Sequence, residues 1–120
     1  MSEELVVTSV YSSTSGQPGR SLNQARSHHF VIDEPARSGG PGEEITPGES
    51  FLAGISACGV LMVERQARET GISLRTAKVR IDGVRQARDT SSFTRIDIQF
   101  RLSGPRQQEA EALVAYYEGH

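Results

Sequence analysis

The residue types best suited to chemistry lie on one apolar segment, residues 46–71. Cys58 is the only cysteine among the 120 residues, and an ionised cysteine is a strong nucleophile. Glu49 precedes it on the same predicted helix by about two and a half turns, so the two side chains cannot touch directly. An arginine lying across the helix could bind the carboxylate and favour the thiolate form of the sulfur. This spacing predicts a nucleophilic thiol held ionised by a guanidinium.

Both residues also have a purely structural interpretation. A free cysteine often fills a protein core as a small apolar side chain. Cys58 lies about three turns after Thr46, too far for the dipole at the helix N-terminus to activate its thiol, so an arginine from another segment would be needed. Glu49 completes a capping box with Thr46, which by itself explains a carboxylate at this position. The sequence alone leaves these alternatives open.

Residues 46–71 are predicted to form one helix with a clear start and end. Thr46 is suited to the N-cap and Pro47 to the first helical position, while Gly71 is suited to the residue after the last turn. Residues 51–63 are apolar or small on every side, which predicts a helix buried all round, with Cys58 in its dry middle. A single small sheet covers only one side of a helix. We therefore expect a partner subunit to cover the rest.

Length, charge and composition exclude several classes of protein. A chain of 120 residues predicts one domain, and a net charge of −2 gives no basic surface for nucleic acid or an anionic membrane. The longest apolar run has about 13 residues, short of the roughly 20 that span a bilayer. The start, MSEELVV, lacks the features of a signal peptide, and one cysteine gives no argument for an oxidising compartment. We expect a soluble cytoplasmic protein.

The other candidate motifs are weak. His28 and His29 are adjacent and therefore face opposite sides of a strand, with no further ligand at metal-binding spacing. The glycine-rich residues 38–42 lack the Lys-Ser/Thr pair of a phosphate-binding loop. Residues 33–35, Asp-Glu-Pro, are typical of a turn. We expect neither a metal nor an organic cofactor.

The remaining pattern predicts an antiparallel sheet with helices on one face. Alternation of apolar and polar residues predicts two strands after the helix, and an amphipathic stripe predicts a second helix. The fold class is therefore α+β. The predicted strands are residues 5–12, 26–33 (starting as early as Ser21), 73–84 and 93–102, and the second helix is residues 106–118, with a turn at 13–20 and loops at 34–45 and 85–92.

Several short motifs together resemble the OsmC/Ohr family of organic hydroperoxide reductases, and most closely its OsmC-like branch. The matching positions are Arg26-x-His28, Val31-Ile32-Asp33-Glu34-Pro35, Gly39-Gly40, Thr46-Pro47-x-Glu49 and Ala57-Cys58. The resemblance spans nearly the whole chain in the same order of elements. It implies a single OsmC-like domain over residues 1–120, with a curved antiparallel sheet, a central buried helix and a C-terminal helix. It also implies an intertwined homodimer.

The resemblance further implies a site and a reaction. Cys58 takes the position of the peroxidatic nucleophile and Glu49 that of the family's glutamate. For the family's arginine, Arg20 is the better match and Arg26 the second. The implied function is reduction of organic or lipid hydroperoxides by an antioxidant protein of the oxidative stress response. An external thiol or dithiol would supply the electrons.

The sequence departs from the family pattern after the second helix. The family's resolving cysteine, in a Cys-Pro context, and its last strand have no counterpart in the 120 residues. Either the chain is truncated, or a Cys58 sulfenic acid is reduced directly by an external thiol. The alternative functions are an incomplete OsmC-like dimer that senses oxidants or binds a small hydrophobic ligand, and a purely structural protein.

Overall fold

The computed structural model describes residues 4–119, in which the strands all pair antiparallel. Strands β1, β2 and β3 form one sheet in that order, and β4 pairs with β5. Two helices accompany them, so the predicted α+β class is confirmed. The elements are β1 (Tyr11–Thr14), β2 (Arg20–Ala25), β3 (His28–Asp33), a 3-10 turn (Ala36–Ser38), α1 (Pro47–Thr70), β4 (Thr76–Val84), β5 (Arg95–Ser103) and α2 (Gln107–Glu118).

The described chain forms two compact units, with the boundary between Ser50 and Phe51 near the start of α1. The first unit contains the three-stranded sheet and the loop that leads into α1. The second contains the rest of α1, the β4–β5 hairpin and α2. Within residues 4–119, no helix is both long enough and apolar enough to cross a membrane.

The first strand is shorter and later than the predicted strand at residues 5–12. Tyr11 pairs with Gln24, and β2 ends at Ala25, where the chain turns back into β3. Residues 4–9 therefore extend beyond the end of the sheet and have no neighbouring strand in it. In this segment the side chains of three apolar residues are 80–93% exposed: Leu5, Val6 and Val7.

The predicted strand at residues 26–33 corresponds to β3 (His28–Asp33), but its possible extension back to Ser21 was wrong, because β2 (Arg20–Ala25) is a separate strand. A two-residue turn at positions 26 and 27 joins β2 to β3, with Ala25 paired to His28. Arg26 adopts a left-handed conformation with φ of 56°. The turn lacks the Asn-Gly or Gly signals that usually mark such hairpins, so no sequence signal predicts it.

The ends of α1 agree closely with the prediction. The backbone N–H of Glu49 donates to Thr46 Oγ1 (3.2 Å), and the backbone N–H of Thr46 donates to Glu49 Oε1 (2.9 Å). This is the predicted capping box. The helix ends at Thr70, and Gly71 follows with φ of 74°, a conformation that glycine adopts without steric cost.

The core of the second unit forms between the helices and the hairpin. Val63 and Ala67 of α1 and Leu113 of α2 are buried, and apolar side chains of β4 and β5 pack against them. Phe100 of β5 contacts Tyr117 of α2 edge to face, with ring centres 5.1 Å apart. The alternation read from the sequence thus places the expected face of the hairpin against the helices.

The expectation that α1 is buried on every side does not hold within one chain. Its buried residues are Gly59, Val63 and Ala67, whereas Phe51 and Leu61 are 56% and 59% exposed. The hairpin and α2 cover one side of the helix only. An apolar side of α1 therefore faces solvent in the isolated chain.

Candidate functional site

Cys58 lies on the exposed side of α1, so its thiol is accessible in this chain. The interpretation of Cys58 as a buried core residue is therefore wrong for the single chain. The sulfur opens into a groove of about 520 Å³ in the second unit. Helical spacing of three and four residues brings five of the lining residues onto one face of α1. The groove is lined by Phe51, Gly54, Ile55, Cys58, Met62, Tyr117 and Glu118.

The walls of this groove are mainly aromatic and aliphatic. Phe51, Ile55 and Met62 offer an apolar surface beside the sulfur, which suits an alkyl or aryl group. Glu118 is the one charged residue of the lining, and none of the seven is basic. The cation that a reactive thiolate requires must come from outside this lining.

Glu49 lies at the start of α1, where its carboxylate forms part of the N-cap. Its Oε1 atom accepts the backbone N–H of Thr46. Among residues 4–119, no arginine forms an ion pair with Glu49, so the arginine–glutamate contact expected from the sequence is absent there. In the same range, its second carboxylate oxygen accepts no side-chain or backbone hydrogen bond.

Arg20 begins β2 and is held by several acceptors in the first unit. Its Nε and Nη2 atoms donate to the two carboxylate oxygens of Asp33, each at 2.7 Å. Nη2 also donates to Glu43 Oε1 (3.0 Å), and Nη1 donates to Gln17 Oε1 (3.1 Å). The side chain is 21% exposed. A two-point bond to a buried carboxylate fixes both the position and the plane of the guanidinium.

Asp33 is the buried partner in this pair. It is the last residue of β3, it lies directly opposite Arg20 in the sheet register, and its side chain is fully buried. Besides Arg20, its Oδ2 accepts the backbone N–H groups of Glu43 and Glu44, each at 3.1 Å. These hydrogen bonds satisfy a charge that would otherwise be costly to bury.

The hydrogen bonds also set the protonation states. Arg20, followed by the two backbone N–H groups, lowers the pKa of Asp33 to about 2. Asp33, followed by Glu43, raises the pKa of Arg20 above its usual value. Both groups therefore carry their charges at neutral pH.

Tight backbone contacts join this ion pair to the loop before α1. The backbone N–H of Glu34 donates to Gly19 O (2.8 Å), and that of Asp33 donates to Ile45 O (2.9 Å). Gly40 has no room for a Cβ because the position is taken by the carbonyl oxygen of Glu34. The loop is thus fixed against the strand ends and leads directly into the helix cap.

Arg26, the second arginine expected at the site, lies in the hairpin turn between β2 and β3. Its side chain is exposed and makes no hydrogen bond or ion pair with any other residue of the described chain. Arg20 is therefore the better ordered of the two candidates. Within residues 4–119, no group of three or more His, Cys, Asp and Glu side chains is placed to hold a metal ion.

Asp33 is the residue that sequence reasoning missed, because residues 33–35 were interpreted as a turn. Its partner is 13 residues earlier in the chain. The pairing becomes visible only once the β2–β3 register is known, and that register depends on the unsignalled turn at Arg26.

Residues 40–120 match the sequence model of a protein family whose description is OsmC-like protein. This chain belongs to the OsmC-like family. The match includes the helix with Glu49 and Cys58, and it confirms the resemblance drawn from the short motifs. A comparison with curated proteins gave no match.

Solved structures of this family share the fold. An OsmC-like protein from Mycoplasma pneumoniae superposes with a TM-score of 0.82 at 12% identity, covering 96% of this chain and 82% of that one. An organic hydroperoxide resistance protein OsmC from Legionella pneumophila gives 0.69 at 25% identity, with coverage of 94% and 82%. An organic hydroperoxide resistance protein from Vibrio cholerae, with captopril bound in one of its active sites, gives 0.65 at 20% identity, with coverage of 98% and 81%. The OsmC-like fold predicted from the sequence is confirmed.

Proposed function

We propose that this protein is a thiol-dependent peroxidase that reduces organic hydroperoxides through Cys58. The observation that carries the proposal is an exposed thiol on an apolar groove, at the position that the resemblance assigns to the nucleophile. Two proteins with a similar fold are named organic hydroperoxide resistance proteins. The apolar lining favours the alkyl or aryl group of an organic peroxide over hydrogen peroxide.

The proposed reaction has two stages. The Cys58 thiolate attacks the distal oxygen of the peroxide, so an S–O bond forms while the O–O bond breaks. The leaving alkoxide takes up a proton and departs as the alcohol, and the sulfur is oxidised to a sulfenic acid. An external thiol then displaces water from the sulfenic acid, and a second thiol attacks the mixed disulfide to restore Cys58. With one cysteine in the 120 residues, the chain cannot form an internal disulfide, so the reducing electrons come from external thiols.

Arg20 and Glu49 have positioning roles in this proposal. Arg20 supplies the positive charge that stabilises the thiolate and the leaving alkoxide. One N–H of its Nη1 has no acceptor among the described residues. The free carboxylate oxygen of Glu49 orients the peroxide proton or the guanidinium. Arg26 is the second candidate for the cation.

We also propose that the working form is a homodimer in the cytoplasm. Support for the dimer comes from apolar side chains left exposed in each unit, Leu5 and Val6 in the first and Leu61 in the second. An exposed apolar surface of this kind is typical of an association site. A reducing compartment would keep Cys58 ready for each cycle and supply the thiol reductant.

The proposal is tested by following Cys58 during reaction with peroxides. Reduced protein is mixed with cumene hydroperoxide, tert-butyl hydroperoxide or hydrogen peroxide. Mass spectrometry with dimedone trapping then measures sulfenic acid formation, and added dithiol measures turnover. We expect stoichiometric oxidation that is fastest with the organic peroxides, turnover with dithiol, and no reaction in the Cys58→Ser variant. A thiol that reacts no faster than free cysteine contradicts the peroxidase assignment.

A second candidate is an oxidant sensor or a binder of small hydrophobic ligands. It is favoured by the absence of a basic residue from the groove lining and of a second cysteine from the sequence. A sensor would oxidise once and turn over slowly with dithiol. A ligand binder would take up an apolar fluorescent probe equally well in wild type and in Cys58→Ser.

A further inference from the structure

Phe51, which lines the Cys58 groove, is paired with a second ring from the loop between β4 and β5. The Phe93 ring lies nearly parallel to it, with ring centres 6.0 Å apart and planes 15° apart. Phe51 is nevertheless 56% exposed, so much of its surface stays open. Both residues belong to the second unit, together with Cys58 and the rest of the groove lining. The proposed reaction assigns no role to this pairing.

Two further contacts fix the position of Phe93. Its ring lies against the backbone of Gly83 in β4, where an added Cβ would overlap the ring. The guanidinium carbon of Arg85 lies 4.8 Å from the ring centre, within the range of a cation–π contact. The loop is closed by Thr94, whose backbone N–H and Oγ1 both donate to Val84 O (2.8 and 3.0 Å). Phe93 is therefore held in place although it lies in a loop.

We propose that Phe51 is the specificity-determining residue of the groove and that Phe93 is its positioning residue. Phe93 holds the Phe51 ring in one orientation, and Phe51 offers that ring to the substrate. The site beside Cys58 therefore takes a hydroperoxide with an aryl group in preference to one with small alkyl groups, because paired rings gain more than apolar burial alone. This inference rests on the proposed function for the hydroperoxide chemistry, and it adds the substrate class.

The groove has room for an aryl group next to Phe51. Gly54 lies one turn after Phe51 on the same face of α1 and also lines the groove. A Cβ added at Gly54 would meet nothing within 4 Å beyond its chain neighbours and the helix backbone. Glycine inside a helix is destabilising, and packing within the second unit does not require it here. Its missing side chain leaves space between Phe51 and Cys58.

The length of this space suits an aryl hydroperoxide. Phe51 and Cys58 are seven residues apart, about 10 Å along the helix axis. A ring that stacks on Phe51 can therefore place its peroxide group toward the sulfur. Tyr117 of α2 also lines the groove, and its ring is held edge to face by Phe100. Walls that are already ordered lose little conformational freedom when a ligand binds.

The test compares three tertiary hydroperoxides that differ in one group. Cumene hydroperoxide carries a phenyl ring, tert-butyl hydroperoxide carries a methyl group in its place, and the third compound carries a cyclohexyl group. The second-order rate constant of Cys58 oxidation is measured for each in the full chain. We define the aryl preference as the phenyl rate constant divided by the cyclohexyl one, which separates ring pairing from apolar burial. In wild type we expect an aryl preference of about three and a phenyl rate constant about tenfold above that of the tert-butyl compound.

Substitution of Phe93 tests its positioning role. Phe93→Leu removes the paired ring but keeps an apolar side chain, so the aryl preference should fall to about one while the tert-butyl rate constant changes less than about twofold. Gly83→Ala displaces the ring and should have the same effect. Phe93→Tyr restores a ring and should restore the aryl preference. Ser92→Ala, an exposed change in the same loop, is the matched control and should behave as wild type.

Gly54→Ala tests where the aryl group lies without weakening the fold. Alanine is the better helix former, so the Tm of this variant should rise. The added methyl group narrows the groove beside Phe51 and should lower the rate constant for cumene hydroperoxide by about fivefold, and that for tert-butyl hydroperoxide less. A higher Tm with unchanged rate constants would contradict the proposed location of the aryl group.

A binding measurement separates failure of this inference from failure of the proposed function. NMR titration of Cys58→Ser with 2-phenylpropan-2-ol, the alcohol that cumene hydroperoxide leaves, should show binding that weakens about threefold when Phe93→Leu is added. A wild-type thiol that ignores all three peroxides ends the proposed function, and this titration then decides whether the aryl site remains. A reactive wild type without an aryl preference, or with one that survives in folded Phe93→Leu, overturns this inference alone.

Discussion

Two carboxylates of the first unit show how residues of the same charge serve different ends. Glu49 is exposed and completes a helix cap, whereas Asp33 is buried and holds an arginine. The cap was predictable because its partners are three residues apart and follow a local rule. The Asp33–Arg20 pair was not, since it joins two strands whose register depends on a turn without a sequence signal.

Substitution of Glu49 separates its capping role from a role in the reaction. Glutamine also completes a capping box, so Glu49→Gln should change the free energy of unfolding by less than about 0.5 kcal/mol. Cys58 oxidation should nevertheless slow by about tenfold if the carboxylate charge orients the reactants. Urea unfolding and dimedone trapping measure the two effects. In Glu49→Ala both the free energy of unfolding and the rate of Cys58 oxidation should fall. An unchanged oxidation rate in Glu49→Gln would show that Glu49 serves only as a helix cap.

The buried Asp33 also predicts how stability depends on pH. Its pKa is lowered to about 2 in the folded chain, below the value of about 3.9 expected when unfolded. Its contribution is therefore fully present above about pH 5 and is lost as the pH falls toward 2. The difference in Tm between wild type and Asp33→Asn should be largest near pH 7 and shrink below pH 5. Glu44→Gln, which changes an exposed carboxylate beside it, serves as the control; a difference that is constant with pH would contradict this account.

At the scale of elements, the correct predictions were those that depend on residues close together in the sequence. Both ends of α1 follow from Thr46, Pro47 and Gly71, and the alternation of β5 identifies its buried face. The error lay in the first sheet, where Arg26 occupies a turn position that favours glycine. Exposure of α1 was also missed, because residue types alone cannot tell how much of a helix its own chain covers.

Substitution of Arg26 tests whether this turn position favours glycine. Arg26→Gly should stabilise the protein by about 1 kcal/mol, because glycine adopts the left-handed conformation without a Cβ clash. Arg26→Ala keeps the Cβ and should show no such gain. Thermal and urea unfolding compare the two variants. Equal stability in both would mean that φ of 56° carries no strain here.

At the scale of the whole molecule, the exposed apolar surface of α1 and the candidate site lie on the same helix. One side of α1 carries both the exposed Leu61 and the groove beside Cys58. A second copy covering this side would also narrow the access of water to the sulfur. Association and reactivity should therefore change together.

Light scattering after size-exclusion chromatography should give twice the 13.1 kDa of one chain. Leu61→Lys places a charge on the apolar side of α1 and should shift the protein toward monomer. Glu69→Lys, an exposed change at the polar end of the same helix, is the control and should remain associated. A wild type that elutes as monomer at micromolar concentration would contradict the homodimer.

The exposed segment around Leu5, Val6 and Val7 has a practical consequence for handling the protein. Endoproteases accept unpaired chain most readily, and thermolysin cleaves beside aliphatic residues. In a free chain this segment should be nicked early, while packing against any neighbour would shield it. The half-life of the uncut protein during brief digestion, followed by its mass, therefore reports whether the chain is assembled. This measurement works in a crude extract, without purification or a label.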